Sequence, residues 1–415
     1  MVHLSRLRVV VVHNCDFEVE GRSAAGRSDD PTFASRADVV NAARDVAGAL
    51  ASRGHEVTTL AVPGGDGARA ALRTLETLVE RAPDLVFNLC ESLGGDARHE
   101  AVLPALLDLQ GLAYSGSGPQ ALGLALRKDL TKRILVAHGV PTPAAITVEE
   151  GAFVEAAPPF PLIVKPTRED ASVGISRHSV VHSRAELESQ VAEVHRAHRQ
   201  PALVERYIEG RELYVSLVAV PGAPPEVLPM HEIDFSAMPA HKPRIVSYDA
   251  KWDASSDEYA GTRSVRAMPL DAAVRARCEA AARAAFACLE LRDYARVDLR
   301  LGADGVPYVI DVNPNCDLSD GAGVSRAASF AGIGYAELIE RICRAALARH
   351  AESEHHVHPA TFDDPLAAGS NGAGAPHPAA AADRSAGAVA AGGSGRPVLE
   401  GRGVGRARAD RRGAR

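Results

Sequence analysis

ARVDLRLGADGVPYVIDVNPN, residues 295–315, has the pattern of a β-hairpin. Apolar residues alternate with Asp298 and Arg300, which is the two-residue period of a strand. The sequence ADG at 303–305 predicts a turn. The predicted return strand starts at a proline, where a strand tolerates a missing N–H, and it continues to residue 312.

Each predicted strand of this hairpin carries a carboxylate. These are Asp298 and Asp311, and Asn313 follows Asp311 one pleat later on the same face. Hard oxygen ligands brought together in this way suit Mg²⁺, which favours carboxylates combined with substrate phosphates. The alternative is that both aspartates are solvated side chains on a surface hairpin, and a phosphate-binding group elsewhere would favour the metal site.

The bulk composition narrows the class of protein. A chain of 415 residues with 46% hydrophobic residues predicts two or three domains with a sizeable core. The net charge of -7 gives no reason to expect nucleic acid or an anionic membrane as partner. Six scattered cysteines without a CxxC pair fit reduced thiols, and no membrane span or signal peptide is recognised. We therefore expect a cytoplasmic protein.

The first part of the chain alternates strands with helices. Strands are predicted at 7–13, 55–62 and 84–88, and helices at 37–53 and 68–81. This βαβαβ order favours a small, doubly wound parallel sheet.

The middle of the chain is less regular. Residues 221–262 are polar without periodicity, and a loop of that length is usually functional or disordered. After residue 350 the composition shifts to Ala, Gly, Pro, Ser and Arg, which predicts a disordered tail. The other predicted strands lie at 160–166, 175–181, 202–208 and 212–219, and the other helices at 100–110, 128–138, 183–196, 271–289 and 335–350.

Several charged side chains are candidates for ligand binding, each with a plainer alternative. Lys165 ends a predicted strand before a polar loop and could reach phosphate oxygens, or it is a surface lysine before a turn. Glu205 and Glu212 flank a turn and could hold a ribose or a metal, or they are solvated edge charges. Arg296 could contact a carboxylate or a developing oxyanion, or it could simply neutralise Asp298.

Four segments in this order resemble the ATP-grasp carboxylate–amine ligases, and more narrowly the D-alanine–D-alanine ligase family. The resemblance extends over residues 7–349 and implies an α/β fold of ATP-grasp type with a doubly wound N-terminal domain. The predicted domains are 1–118, 119–200 and 201–350, followed by the tail 351–415. The segments are GLAYSGSGPQALGLALRKDLTKRIL (111–135), FPLIVKPTREDASVGIS (160–176), ALVERYIEGRELYVSLV (202–218) and the hairpin itself.

The resemblance implies a nucleotide site in the middle of the chain. Lys128 and Lys165 would contact phosphates, while Glu205 and Glu212 would bind adenine and ribose. The backbone at Tyr207 and Ile208 would line the adenine pocket. The loop that closes on the phosphates would contain Ser172, Val173 and Gly174.

The resemblance also implies a metal site and a catalytic site. Asp298, Asp311 and Asn313 would hold two Mg²⁺ ions that bridge the phosphates, with Mn²⁺ as an alternative ion. Arg296 would stabilise the acyl phosphate and the tetrahedral intermediate. Lys251, from a mobile loop, would cover the γ-phosphate.

The departures from the family concentrate on the amino-acid side. The family's histidine motif is replaced by CESLGGDA at 90–97, Ala171 replaces a serine, and Trp252 replaces a tyrosine. Asp38 is the nearest candidate for an N-terminal glutamate, and Asp311 stands where the family usually has glutamate. Added negative charge near the first substrate predicts a further amine on it, or a larger and differently anchored substrate; this charge comes from Glu91, Glu100 and Asp170.

The function implied by the resemblance is an ATP- and Mg²⁺-dependent ligase that joins a carboxylate to an amine through an acyl phosphate, with altered amino-acid specificity. Its expected partners are ATP, small amino-acid or peptide substrates, and a second copy of the chain. The alternatives are a genuine D-alanine–D-alanine ligase and, from another class, a catalytically inactive ATP-binding regulator. The regulator is disfavoured because the chain retains Lys165, Arg296, Asp298, Asp311 and Asn313.

Overall fold

A computed structural model describes residues 6–15, 18–19, 22–23 and 33–356 of the chain. Residues 1–5, most of residues 16–32, and the tail beyond residue 356 lie outside the described residues. The strands are β1 (Arg8–Cys15), β2 (Glu18–Val19), β3 (Arg22–Ser23), β4 (Glu56–Pro63), β5 (Leu85–Asn88), β6 (Ala145–Val148), β7 (Leu162–Pro166), β8 (Val180–Val181), β9 (Ala202–Arg206), β10 (Arg211–Val220), β11 (Ala223–Val227), β12 (His231–Asp234), β13 (Arg263–Arg266), β14 (Tyr294–Leu301) and β15 (Pro307–Asn313). The helices are α1 (Phe33–Ser52), α2 (Gly67–Arg81), α3 (Val102–Leu109), α4 (Pro119–Leu126), α5 (Lys128–Ala137), α6 (Arg184–His198), α7 (Tyr248–Trp252), α8 (Asp257–Ala260), α9 (Ala272–Cys288), α10 (Gly323–Phe330) and α11 (Tyr335–His356).

The N-terminal sheet is parallel and has the strand order β4-β1-β5. Its central strand β1 is buried on both faces, as its run of valines predicts. Val9 and Val11 pack against α1 and α11, whereas Val10 and Val12 pack against α2 and α3. Helices therefore cover both faces, and the predicted doubly wound arrangement is confirmed.

The middle sheet is antiparallel and has the strand order β6-β9-β7-β8. Its core joins Leu162 and Val164 of β7 to Leu187 and Val191 of α6. Strand β9 lies beyond residue 200, where the sequence predicts a domain boundary, and it pairs with β6 and β7 of this sheet. The strand predicted at 175–181 is reduced to β8, because residues 175–179 continue the preceding loop.

The third sheet has the order β13-β12-β10-β14-β15, and β11 pairs with β10 at its side. Helix α9 packs on one face and buries Cys278, Ala282 and Phe286. The prediction of a long irregular loop at 221–262 was wrong. Backbone pairing places β11 and β12 in it, and two serine-capped short helices, α7 and α8, follow.

Side chains of β10 alternate between the two faces of this third sheet from Glu212 to Leu217. Leu213, Val215 and Leu217 of β10 enter the core under α9, whereas Glu212, Tyr214 and Ser216 point to the opposite face by the two-residue period of a strand. The hairpin β14–β15 is in register with β10, so its own polar residues lie on the same face. This polar face, rather than any single loop, provides the platform for the site.

Three helical features differ from the sequence prediction. Helix α4 was not predicted, although Pro119 occupies its first turn, a position that proline favours. Helix α10 was not predicted either, and α11 continues to His356, beyond the tail boundary predicted at residue 351. Among the described residues, no helix is both long and apolar enough to cross a membrane.

Candidate active site

The predicted hairpin forms, and it brings the two aspartates directly opposite each other. Asp298 of β14 pairs with Asp311 of β15, and Arg296 pairs with Asn313. A register shift follows Asp298, so one additional residue of β15 is accommodated after this pair. All four side chains lie on the polar face of the third sheet.

Asp298 is engaged by its neighbours on that face. Its two carboxylate oxygens accept hydrogen bonds from Arg296 Nε at 2.7 Å and Nη2 at 2.9 Å. Asn313 Nδ2 donates a third bond to Asp298 Oδ2 at 3.2 Å. Burial raises the pKa of Asp298, although Arg296 opposes the effect. The alternative that these aspartates are solvated is excluded for Asp298, which is 6% exposed.

The donor set fits a hard divalent cation that is shared with a substrate. Two carboxylates and an amide oxygen are the ligand types that Mg²⁺ accepts, and they share one face. Among the described residues, no group of three or more His, Cys, Asp or Glu side chains is arranged to hold a metal without other donors. Substrate phosphate oxygens are the further ligands that Mg²⁺ favours beside such carboxylates.

Two lysines of α5 reach toward the hairpin and the middle sheet. Lys128 Nζ lies 2.8 Å from Asp311 Oδ1 and 3.1 Å from Asp170 Oδ1. Although burial raises it, Lys128 and Lys165 lower the pKa of Asp311 overall. Lys132 Nζ, one helical turn further along α5, lies 2.7 Å from Glu205 Oε2. Sequence reasoning missed Lys132, although its spacing of four residues from Lys128 was a usable signal.

Glu205 is shared by two cations on two different elements. Lys165 Nζ lies 2.8 Å from Glu205 Oε1 and also donates to the Ile310 carbonyl of β15 at 3.2 Å. Glu205 is 2% exposed and Lys165 is 6% exposed. Neither the surface-lysine nor the edge-charge alternative applies here. Instead, the three charges link the middle sheet, α5 and the hairpin.

Glu212 forms a second buried ion pair on β10. Its carboxylate lies 2.8 Å from Arg300 Nη2, and it also accepts a hydrogen bond from the Tyr214 hydroxyl at 3.0 Å. The guanidinium of Arg300 lies 5.4 Å from the ring centre of Tyr207. Ile208 beside it is buried. Tyr207 and Glu212 therefore both contact Arg300.

The loop at 167–174 follows β7 in a tight, left-handed path. Ala171, Ser172 and Gly174 have φ values of 52°, 63° and 76°. A Cβ at Gly174 would lie 2.5 Å from Pro166 Cγ, so this position requires glycine. Ser172 Oγ donates to the Val246 carbonyl at 2.9 Å. The loop is thus attached to the segment that carries α7.

Helix α7 closes against this loop. Trp252 Nε1 donates a hydrogen bond to the Ala171 carbonyl at 3.0 Å, and Lys251 Nζ lies 4.8 Å from the centre of the Trp252 ring. The two family departures at 171 and 252 therefore contact each other. The contact uses a backbone oxygen rather than a side-chain hydroxyl.

A cavity of about 780 Å³ lies next to these groups. Its wall includes Lys251, Arg296, Asn313 and Val173 among the predicted site residues, but not Lys165, Glu205, Tyr207, Ile208 or Glu212. Most predicted residues therefore fall into two sets. The cavity set lines the wall, and the buried set beside it consists of the residues just excluded together with Lys128 and Asp298. Arg296 belongs to the cavity and pairs with Asp298, so it connects the two sets.

The cavity wall carries carboxyl groups and basic side chains together, the latter including Arg98, Arg168, Arg199, Lys251 and Arg296. Glu91, Glu100, Asp170, Asp38 and Asp317 all line it. Exclusion of water, together with Asp317, raises the pKa of Glu91 to about 8. Glu100 accepts a hydrogen bond from Asn315 Nδ2 at 2.8 Å, and burial raises its pKa well above the ordinary value. Sequence reasoning missed Asn315 and Asp317, which become site residues only because the chain turns after β15.

Known proteins with similar sequences show to which family the chain belongs. A family model described as "D-ala D-ala ligase C-terminus" matches residues 142–344. The D-alanine–D-alanine ligase of Marinomonas sp. is 32% identical, and the match covers 72% of this chain and 88% of that protein. The chain belongs to the D-alanine–D-alanine ligase family.

Two further similarities concern an uncharacterized relative and a solved structure. The uncharacterized protein y4sG of Sinorhizobium fredii is 34% identical, over 74% of this chain and 88% of that protein. The crystal structure of D-alanine–D-alanine ligase from Bacillus anthracis complexed with ATP is 22% identical, has a TM-score of 0.61, and matches 84% of this chain and 99% of that one. The last similarity establishes the ATP-grasp fold. As a member of the D-alanine–D-alanine ligase family, the chain is an ATP-dependent ligase.

Proposed function

We propose that this chain is a Mg²⁺-dependent carboxylate–amine ligase that acts through an acyl phosphate and prefers a first substrate other than D-alanine. Arg296 is the observation that carries the proposal. Its guanidinium lines the cavity, and it pairs with Asp298, one of the proposed metal ligands. The Arg296 guanidinium therefore lies between the cavity for an amino acid and the proposed position of the phosphates.

The buried set of residues is assigned to ATP. Lys128 and Lys165 bind phosphate oxygens, and the backbone at Tyr207 and Ile208 lines the adenine pocket. Glu205 and Glu212 bind the adenine and the ribose. Their present contacts with lysine and arginine support this assignment, because each carboxylate is already held in one orientation by a buried cation.

Asp298, Asp311 and Asn313 are assigned to the metal, with one or two ions. Mg²⁺ supplies charge neutralisation and alignment of the phosphates for in-line transfer when it is bound. Lys128 contacts Asp311 and would also contact a phosphate bound beside it. We expect Mn²⁺ to replace Mg²⁺, because the donor set consists of oxygen atoms.

The proposed reaction has two steps. The carboxylate of the first substrate attacks the γ-phosphorus of ATP, which forms the acyl phosphate and releases ADP. The amine of the second substrate then attacks the acyl carbon and expels inorganic phosphate, and the amine loses a proton. Arg296 contacts the developing negative charge in both steps, and Lys251 neutralises the γ-phosphate. The contact between Trp252 and the loop at 167–174 limits access of water to the acyl phosphate.

Altered specificity is supported by the groups that surround the cavity. At the positions of the family's hydrogen-bonding serine and tyrosine, Ala171 has no hydroxyl, and the indole N–H of Trp252 is used by the Ala171 carbonyl. A hydrogen bond to a charged group is worth roughly 1.5–3 kcal/mol, so the loss of two bonds lowers efficiency with D-alanine on the order of a hundredfold or more. Asp38, Asp170 and Asp317 on the cavity wall support a first substrate with an additional amine, or a larger one that is anchored differently.

The test measures ADP and phosphate release with ATP and Mg²⁺. D-Alanine alone is compared with a panel of L-, D- and β-amino acids and dipeptides, and the amide products are identified by mass spectrometry. We expect a member of the panel other than D-alanine to give the highest kcat/KM. If D-alanine alone is best, the chain is a genuine D-alanine–D-alanine ligase. Nucleotide binding without ADP release for any substrate would identify an inactive regulator.

A further inference from the structure

Tyr214 lies at the centre of the polar face of the third sheet, and the proposed reaction gives it no role. On β10 it is directly opposite Asp298 of β14 on one side and His231 of β12 on the other. The guanidinium carbon of Arg296 lies 4.6 Å from the centre of the Tyr214 ring. At that distance the negative face of a tyrosine ring attracts a cation.

Arg296 is therefore held by two kinds of contact. Asp298 fixes the guanidinium through two hydrogen bonds, and the Tyr214 ring contacts the group as a flat surface. A guanidinium is planar and stacks on aromatic rings, so the ring restricts its tilt as well as its position. Asp298 is also a proposed metal ligand, so its carboxylate is shared between the metal and Arg296. The contact with Tyr214 holds Arg296 without involving that carboxylate.

The ring of Tyr214 is itself fixed on two sides. Its hydroxyl donates to Glu212 Oε1 at 3.0 Å, and Glu212 is anchored by Arg300 at 2.8 Å. The His231 ring meets it edge-on, with the centroids 5.0 Å apart and an interplanar angle of 84°. Burial, together with Arg296, lowers the pKa of His231 to about 3. His231 is therefore neutral at physiological pH and does not repel Arg296.

We propose that Tyr214 is a positioning residue that holds the Arg296 guanidinium, through the face of its ring, in the orientation that reaches a carboxyl group in the cavity. The inference rests on the role of Arg296 in the proposed function. Displacement of a catalytic group by about 1 Å can cost on the order of a hundredfold in rate. Loss of the ring should therefore affect the chemical step more than ATP binding.

The experiment compares Tyr214→Met, Tyr214→Phe and Tyr308→Met in the full-length chain. Tyr308 is the matched control, because it lies in the same sheet opposite Arg300 and its hydroxyl donates to Asp304 Oδ2 at 2.8 Å. ATP, Mg²⁺ and a mixed pool of D-, L- and β-amino acids are supplied, and ADP and amide products are both measured. Thermal unfolding is followed in parallel.

For Tyr214→Met we expect kcat for amide formation to fall by about 10- to 100-fold, with little change in KM for ATP and a higher ratio of ADP to amide. Tyr214→Phe keeps the ring face but loses the hydroxyl bond to Glu212, so its kcat should fall clearly less than that of Tyr214→Met. Tyr308→Met should stay near the wild-type kcat. Wild-type kcat and ratio in Tyr214→Met would overturn the inference. Equal impairment in Tyr214→Phe would overturn it as well, because the hydroxyl would then be the important group.

Two further variants keep the outcome decisive. If Tyr214→Met does not fold, replacement of Tyr214 by pentafluorophenylalanine keeps the shape of the ring but removes its negative face. Amide formation must then fall below that of Tyr214→Phe, and an equal rate contradicts the inference. Arg296→Ala separates the two proposals. An active Arg296→Ala variant would refute the proposed role of Arg296, whereas an inactive one beside a fully active Tyr214→Met refutes only the positioning role.

Discussion

The carboxylate of Asp311 pairs with a lysine and is also a proposed metal ligand. Its carboxylate lies opposite Asp298 across the hairpin, and it accepts a hydrogen bond from Lys128. In the structure the lysine neutralises the carboxylate, and in the proposed complex the metal ion takes over that role while the lysine contacts a phosphate. The size of Asp311 should therefore matter less than its charge.

The substitution Asp311→Asn tests this charge at constant size. We expect ADP formation to be abolished, because loss of a charged metal ligand removes several kcal/mol, to order of magnitude, of transition-state stabilisation. The fold should be retained, since Asp170 still pairs with Lys128. Activity is measured by ADP release across a Mg²⁺ titration, with Asp304→Asn in the turn of the same hairpin as the control. Near-normal turnover in Asp311→Asn would remove Asp311 from the metal site.

Glu91 predicts a specific dependence of stability on pH. Its carboxyl has an ordinary pKa of 4.5, which exclusion of water, and then the nearby Asp317, raise to about 8 in the folded protein. Between these values the unfolded chain ionises Glu91 while the native state keeps it protonated, so this contribution to stability is present at low pH and is lost as pH rises toward 8. Glu91→Gln removes the contribution.

The measurement is the free energy of unfolding in urea at several pH values between 5 and 8.5, for the wild type and for Glu91→Gln. The stability of the wild type should decline with pH more steeply than that of the variant. Parallel curves for the two proteins would contradict the raised pKa. A substrate amine near Glu91 should also bind more tightly at the upper end of this range, where the carboxylate is ionised.

At the scale of elements, the loop at 167–174 and helix α7 form one closing unit. The loop holds three residues at positive φ, and α7 is attached to it through the indole of Trp252. Neither partner has an extensive core of its own. Their geometry therefore depends on the tight turn at Gly174, where the chain passes next to Pro166.

Gly174→Ala tests this turn against a matched control. Gly222 has a similar φ of 71°, but a Cβ there would have no atom within 4 Å, whereas at Gly174 it would collide with Pro166 and His198. Both variants carry a left-handed alanine, which costs roughly 1–2 kcal/mol. We expect only Gly174→Ala to raise the KM for ATP and to lower ADP formation. Equal kinetics in the two variants, at equal stability, would show that the loop does not act on the nucleotide.

At the scale of the whole molecule, the site is assembled from segments that are far apart in sequence. Glu91 follows the first sheet, Lys165 and Glu205 belong to the second, and Arg296 and Asp311 belong to the third. The C-terminal helix α11 returns to the first sheet and buries Ile342, Cys343 and Ala346 there with no exposed surface. The body of the protein therefore depends on its C-terminal helix, whereas the composition of the tail suggests that the body does not depend on the tail.

Removal of residues 359–415 should leave the melting temperature and ADP formation nearly unchanged. This segment is rich in Ala and Gly without apolar periodicity, so we expect it to contribute little to a packed core. Truncation after residue 341 is the contrasting control. It removes the buried part of α11 and should prevent stable folding. A large loss of stability or activity in the variant that lacks only residues 359–415 would show that the tail contacts the body.

Much of the fold and part of the site followed from sequence alone. Alternating side chains predicted the hairpin with Asp298 and Asp311 on one face, because the strand period is set by the covalent backbone. The valine-rich β1 and the βαβαβ order predicted the doubly wound sheet for the same local reason. The order of the motifs identified the family, and family comparisons confirmed it.

Only the tertiary structure decided which charges meet and how they are satisfied. The Lys132–Glu205–Lys165 cluster joins α5, β9 and β7, and no local pattern specifies such a contact. Strands β11 and β12 form because β10 offers them a partner to pair with, which composition cannot reveal. The stacking of Arg296 on Tyr214 arises in the same way. The sequence determined what each strand presents on its two faces, and strand pairing over long separations determined which of those faces meet.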